Sequence, residues 1–223
     1  MRVYSIFSSV QGEVNYMGQG TWATFIRLAG CNLRCSYCDT KYAWEDGSGR
    51  EKSVYEILLN LDIIGIKNVM ITGGEPLHQN LDSLIQALYS NKYQIVIETN
   101  GSISPFALDK YMHKAIQCWV VDYKLPSSET TGQWSEDWDG FLTHKDYIKF
   151  VMSTAKDYVY ARDKVKSVKD HHKYFNQSPR MAFSPVAGKL SVEQLMEWMR
   201  KDKLFDVQIN VQLHKICIPN EPG

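Results

Sequence analysis

Short apolar runs alternate along most of the chain with stretches whose apolar residues recur at helical spacing. Residues 24–28, 68–72, 94–98, 116–122, 147–152, 180–184 and 207–213 are strand-like, rich in Val, Ile and aromatic residues. Between them lie recognisable helix starts. Ser53-Val-Tyr-Glu56 and Ser191-Val-Glu-Gln194 match the capping box, in which a Ser side chain and the residue three later satisfy each other's backbone donors. Asn80 precedes Leu81, Leu84, Ile85 and Leu88, an apolar stripe at helical spacing, and Ser104-Pro105 reads as an N-cap with Pro in the first turn. Strands alternating with helices predict parallel β/α units. About six such units fall short of the eight in a closed barrel of roughly 250 residues, so the expected α/β architecture is an incomplete (β/α)6-type TIM barrel.

The whole chain, 1–223, is expected to be one domain. Residues 125–145 break the rhythm: polar and acidic, with two Trp, they read as an insertion or long loop that could offer a partner surface. With 25 Lys and Arg against 25 Asp and Glu, the chain has no net charge and lacks the field of a nucleic-acid binder. Any anionic ligand must be met by local groups. No stretch approaches the ~18 apolar residues of a membrane span, and the N-terminus lacks the apolar region of a signal peptide. A cytoplasmic protein, binding neither membrane nor nucleic acid, is expected.

Three of the five cysteines, Cys31, Cys35 and Cys38, lie within eight residues, while Cys118 and Cys217 stand alone in apolar runs and are expected in the core. An odd count so crowded makes a poor disulfide framework. The C-x3-C-x2-C loop suits a cubane cluster better, each thiolate binding one iron and leaving the fourth open to a ligand. Zinc is the alternative, but it normally takes four ligands, often as two pairs, and no second pair follows. A second motif, Thr72-Gly-Gly-Glu-Pro76, comes directly after a strand. Its glycines allow close approach of a ligand to the backbone, and Glu75 offers a carboxylate to an ammonium group. Alone it would be an ordinary turn.

Together the cysteine loop and the Gly-Gly-Glu-Pro segment resemble the signature of the radical S-adenosylmethionine (SAM) superfamily. The resemblance implies a [4Fe-4S] cluster on Cys31, Cys35 and Cys38, SAM on the open iron, and hydrogen abstraction by a 5′-deoxyadenosyl radical; no other catalytic residue is assigned. Ser8-Ser-Val-Gln-Gly-Glu13, Arg27, Asp39-Thr40, Glu98-Thr-Asn-Gly101 and Gln212-Leu-His-Lys215 extend the likeness. They are similar to the 7-carboxy-7-deazaguanine synthase family of queuosine biosynthesis. Such lyases convert 6-carboxy-5,6,7,8-tetrahydropterin to 7-carboxy-7-deazaguanine with loss of ammonia, using SAM and Mg²⁺.

By that resemblance Tyr37, Asp39, Gly73, Gly74, Glu75, Asp122, Tyr123, Lys124, Ser184 and Pro185 contact SAM. Gln11, Gly12, Glu13, Arg27, Thr72 and His214 contact the pterin, Thr40 binds Mg²⁺, and Glu98, Thr99 and Asn100 support the site. The residue chemistry agrees. Gln11 and Glu13 can meet the donors and acceptors of a pterin edge, and a guanidinium such as Arg27 can bind its carboxylate bidentately. The bland readings are turn residues at 11 and 13, a surface ion pair at 27 and a helix cap at 40. Two departures from the family pattern stand out: Val14 where Gly is usual, and Asp122-Tyr123-Lys124 where Ser-Pro-Lys is usual. The resemblance also implies a homodimer and an electron-donor protein such as a flavodoxin. The rival functions are a radical SAM activase that acts on a partner protein, and a noncatalytic zinc or iron-sulfur binding module.

Overall fold

The structure is a computed structural model that describes residues 1–172 and 178–217, with position 214 described by its backbone alone. In chain order the elements are β1 (Arg2–Val10), β2 (Trp22–Leu28), β3 (Arg50–Glu51), α1 (Val54–Ile64), β4 (Asn68–Gly73), α2 (Asp82–Ser90), β5 (Gln94–Thr99), β6 (Ile116–Asp122), α3 (Asp137–Phe141), β7 (Tyr147–Met152), α4 (Ala155–His172), β8 (Arg180–Pro185), α5 (Val192–Lys201), β9 (Gln208–Ile209) and α6 (Leu213–Cys217).

All nine strands form one sheet in the order β3-β1-β2-β4-β5-β6-β7-β8-β9. From β2 onward every pairing is parallel, whereas β1 pairs antiparallel with both β2 and β3. The six long parallel strands, β2 and β4 to β8, make a partial β/α barrel.

The helix starts follow local chemistry. In α1 the Ser53 hydroxyl accepts from Glu56 N at 3.2 Å and the Glu56 carboxylate accepts from Ser53 N at 2.7 Å, completing the capping box. At α5 only half of it forms: Ser191 accepts from Gln194 N, but the Gln194 amide turns to Glu197. The Ser104-Pro105 start produces a single 3-10 turn, Pro105–Ala107, rather than an α-helix.

Three further expectations change. β1 was not legible as a strand; it supplies the antiparallel flank of β2, from Val3 opposite Leu28 to Val10 opposite Trp22. The run 207–213 shrinks to the two-residue β9, because buried Asn210 bonds across the barrel to Val14 N and Ser184 Oγ and Leu213 already starts α6. Residues 125–145, read from the sequence as an insertion or long loop, carry structure of their own. They are the β6–β7 crossover, carrying a 3-10 turn, Pro126–Ser128, and α3. Trp138 is fully buried there against Trp119 and Phe141, which removes it from any partner surface.

The sheet buries both faces. Outward side chains such as Ile71, Ile97, Trp119 and Phe150 pack under the helices. Inward side chains at the lower end of the barrel, Met70, Val96, Cys118, Val120, Tyr147 and Ala182, form a second core with Phe25 against it. Cys118 is thus a core residue as expected, but Cys217 is exposed on α6. Val14 also joins the inner core, and its φ is not positive, so the valine is accommodated without backbone strain. Among the described residues no helix is long and apolar enough to cross a membrane.

Candidate functional site

Strand parity places the site. One step of two residues beyond the inner core, the same inward faces turn polar: Arg27 after Phe25, Thr72 after Met70, Glu98 after Val96, Asp122 after Val120 and Lys149 after Tyr147. These side chains floor a cavity of about 390 Å³ at the C-terminal ends of the strands, where parallel β/α folds carry their sites. The residues 11–13 after β1, the cysteine loop after β2 and the segment after β9 close its sides.

Most expected residues meet there. Gln11, Gly12, Glu13, Arg27, Cys31, Cys35, Tyr37, Cys38, Asp39, Thr40, Thr72, Gly73, Gly74, Asp122 and Lys124 all line the cavity, as do Glu98, Thr99 and Asn100. Gln11 is 1% exposed, and its Oε1 is buried with no hydrogen-bond partner among the described residues. Arg27 is not a surface residue; its guanidinium lies 5.5 and 5.7 Å from the centres of the Phe7 and Tyr42 rings. Thr40 precedes a 3-10 turn, but its hydroxyl makes no capping bond and sits 3.4 Å from Cys38 Sγ.

Five expected residues stand differently. Glu75 is fully buried behind the cavity wall, its carboxylate accepting from Leu77 N, Thr99 Oγ1 and Asn100 N; it braces the β4 and β5 ends instead of facing a ligand. Tyr123 has the opposite parity to Asp122 and Lys124, so its ring packs outward on Trp134 and Phe150. Ser184 is buried and bonded to Asn210, and neither it nor Pro185 lines the cavity; Val186 and Ala187 do. His214 lies in α6, and its side chain is outside the described residues.

The two glycines do more than admit a ligand. A Cβ on Gly73 would sit 2.2 Å from Leu28 O, and one on Gly74 2.1 Å from Gly30 O, so the approach of the β4 end to the β2 end requires glycine at both. Gly74 N donates to Leu28 O and Glu75 N to Gly30 O, tying this turn to the start of the cysteine loop.

The thiols suit a cluster. Cys31 Sγ accepts from Leu33 N at 3.4 Å and faces Asn100 Nδ2 at 3.8 Å, Thr130 Oγ1 lies 3.5 Å from Cys35 Sγ, and Thr40 Oγ1 approaches Cys38. Burial, with the negative charges of Glu75 and Cys35, pushes the Cys31 thiol up, while the bonds from Leu33 N and Asn100 oppose that shift. Among the described residues no three His, Cys, Asp or Glu side chains converge on a single point.

The floor carries paired charges. Lys124 Nζ donates to Asp122 at 2.9 Å, and although burial opposes its charge, Asp122, Tyr37 and Cys35 push its ammonium up. Glu98 accepts from Thr72 Oγ1, and burial with the nearby Asp122 pushes its carboxyl up to about 7. Among the lining residues that the sequence left without a site role, three carry charge or an amide: Lys149, and Gln212 and Lys215 at the two ends of the Gln-Leu-His-Lys motif. Lys149 contacts Glu13 and Asp122, Gln212 donates to Glu13 Oε1, and Lys215 pairs with Asp39 at 3.2 Å. A lysine at inward parity within the apolar run Tyr-Ile-Lys-Phe-Val-Met was the one available signal for Lys149.

Comparison with known proteins extends these findings. Residues 25–120 match the model of the radical SAM superfamily. The chain is 38% identical to a 7-carboxy-7-deazaguanine synthase of Clostridium acetobutylicum, over all of this chain and 98% of that protein. It is 32% identical to one from Koribacter versatilis over the full length of both. The solved structure of QueE from Escherichia coli superposes with a TM-score of 0.70, covering 95% of this chain and 93% of that one, at 20% identity.

Proposed function

The chain belongs to the 7-carboxy-7-deazaguanine synthase family of radical SAM enzymes, and from that premise we propose how its residues share the work. The reaction is the conversion of 6-carboxy-5,6,7,8-tetrahydropterin to 7-carboxy-7-deazaguanine and ammonia, a step of queuosine biosynthesis. The carrying observation is a single cavity that joins the cysteine loop to a wall of Gln11, Glu13, Arg27 and Thr72.

Cys31, Cys35 and Cys38 would hold the [4Fe-4S] cluster, and Gly73, Gly74, Asp39, Tyr37, Asp122 and Lys124 would border SAM. Once bound, cluster and SAM together supply the hydrogen-atom abstraction that the side chains cannot perform. The protein's part is recognition. Arg27, held between two rings, offers two parallel donors to the substrate carboxylate. Gln11 keeps a buried acceptor that no described residue engages, and such a group is costly to leave unpaired, so it favours a ligand donor such as the pterin amino group. The Glu13 carboxylate is a further acceptor for that edge. The Thr40 hydroxyl, which makes no capping bond and lies beside the cysteine loop, is a hard oxygen ligand suited to Mg²⁺, which retains most of its waters. His214 remains assigned to the substrate on the resemblance alone.

The proposal covers 1–223 as one radical SAM domain, cytoplasmic, acting as a homodimer with a small protein reductant such as a flavodoxin. The activase rival loses ground on the same wall, since a partner glycine would have no use for a guanidinium and a carboxylate set into a cavity this size.

The test is anaerobic incubation of the reduced, reconstituted protein with SAM, Mg²⁺ and 6-carboxytetrahydropterin, with mass detection of the product. Loss of 17 mass units as ammonia, dependent on SAM, is expected from the reaction's stoichiometry. SAM cleavage without any deazapurine would overturn the substrate assignment and revive the activase reading.

A further inference from the structure

Lys149 has no role in the function above, yet it lines the cavity floor. It is 7% exposed on its side chain and is the direct register partner of Asp122 across β6 and β7. Its ammonium touches Glu13 Oε2 and lies 3.2 Å from Asp122 Oδ1. Glu13 Oε1 in turn accepts from Gln212 Nε2 at 3.1 Å, and Asp122 Oδ2 accepts from Lys124 at 2.9 Å. The five side chains make one line of alternating partners, from the wall assigned to the pterin to the wall assigned to SAM.

We propose that Lys149 is a positioning residue, which holds the Glu13 carboxylate facing the pterin by bridging it to Asp122. The inference rests on the substrate assignment made above. Its physical basis is geometric: two carboxylates on one floor repel one another, and the Lys149 side chain, lying between Glu13 and Asp122, offsets that repulsion even though burial pushes its ammonium down to about 7. Asp122 makes this acute, because it adds a negative charge where the family pattern has serine. The register also sets the distance: neighbouring strands lie about 4.8 Å apart, which a lysine at 149 spans but a residue of the opposite parity would not. Glu13 is on a loop, and without this anchor and Gln212 nothing described would hold its carboxylate toward the cavity.

The experiment is a double-mutant cycle on the reconstituted holoenzyme with K149M, E13Q and E13Q/K149M, reading KM for 6-carboxytetrahydropterin, kcat and iron per chain. K149M is expected to raise KM by roughly tenfold to a hundredfold, the range of a lost charge-assisted hydrogen bond, with iron content unchanged. K149R should restore most of it. In the E13Q background K149M should add little, since the residue acts through Glu13. Multiplicative effects, an unchanged KM in K149M, or no rescue by K149R would each overturn the proposal. Should K149M lose its cluster, K149Q, which keeps a donor to Glu13 and removes only the charge, is read through the same cycle. Wild-type turnover is the separate control. A wild type that cleaves SAM without forming product overturns the substrate assignment and this role with it, whereas normal turnover with independent mutations overturns only the role of Lys149.

Discussion

Replacing Gly74 with alanine puts the contact between β4 and the cysteine loop to a direct test. The new methyl carbon would lie 2.1 Å from Gly30 O, 2.5 Å from Gly30 C and 2.9 Å from Ala43 O. Ordinary contact begins at 3.4 Å, so the two backbones must part by about 1.3 Å. Backbone, unlike a side chain, cannot rotate away. The bonds from Gly74 N to Leu28 O at 3.0 Å and from Glu75 N to Gly30 O at 2.8 Å would both be broken by such a movement. Each costs about 1 kcal/mol, and overpacking adds about 1–3 kcal/mol, for a loss of roughly 3–5 kcal/mol. At about 2–4 °C per kcal/mol for a chain this size, the melting temperature should fall by roughly 10 °C. Cys31 follows Gly30 directly, so the cluster ligands should shift as well, and a displacement near 1 Å costs on the order of a hundredfold in rate. Thermal melting, iron per chain after anaerobic reconstitution, and SAM cleavage read these effects in turn. Gly47→Ala is the control, because its added carbon meets nothing within 4 Å and its φ is ordinary. A Gly74→Ala protein that melts within 2 °C or so of wild type and holds full iron would refute the close-approach argument.

Other outcomes follow from the same geometry. Trp138→Ala removes a fully buried ring packed on Trp119 and Phe141 and its bond to Ile103 O, so urea denaturation should show a loss of about 3–5 kcal/mol; a loss below about 1 kcal/mol would mean that the β6–β7 crossover is not part of the core. Cys35→Ala should reduce bound iron and abolish SAM cleavage, whereas Cys118→Ala should retain both, and equal losses would remove the distinction between ligand and core cysteines. Glu98→Gln should alter the pH dependence of stability in the apoprotein. With its folded carboxyl raised to about 7, the protein takes up a proton on folding between the unfolded value near 4.3 and 7. Its stabilising contribution is therefore complete below about pH 4 and is lost as pH rises through 7, about 3 kcal/mol of it between pH 5 and 8. From pH 5 to 8 wild type should lose that much more than Glu98→Gln, and parallel pH curves would contradict a raised Glu98.

Legibility followed the range of the physics involved. The Ser53 capping box and the inward alternation of β6 and β7 depend on residues two or three apart, and each can be read along the chain. Tyr123 shows where a motif alone misleads. Asp122-Tyr123-Lys124 looks like a contiguous ligand segment, but pleating turns the tyrosine onto Trp134 and Phe150, away from the cavity. Glu75 shows the same for a motif residue whose identity was clear and whose task was not. Its carboxylate is consumed by Leu77, Thr99 and Asn100, of which Thr99 and Asn100 are more than twenty positions away. β1 was missed because its serines and tyrosine blur the alternation, and only its pairing with β2 makes it a strand.

By itself the amino-acid order determined the parallel β/α plan, the crowded cysteine loop and the family likeness, since all three are carried by local spacing and residue type. Only the tertiary structure decided which side chains share the cavity. It closed the β2 and β4 ends on each other through Gly73 and Gly74, turned 125–145 into a core crossover through Trp138, and set Lys149 between Glu13 and Asp122. The reason is one of distance: Glu13 and Lys149 stand 136 positions apart, and nothing short of sheet register could bring their charges together.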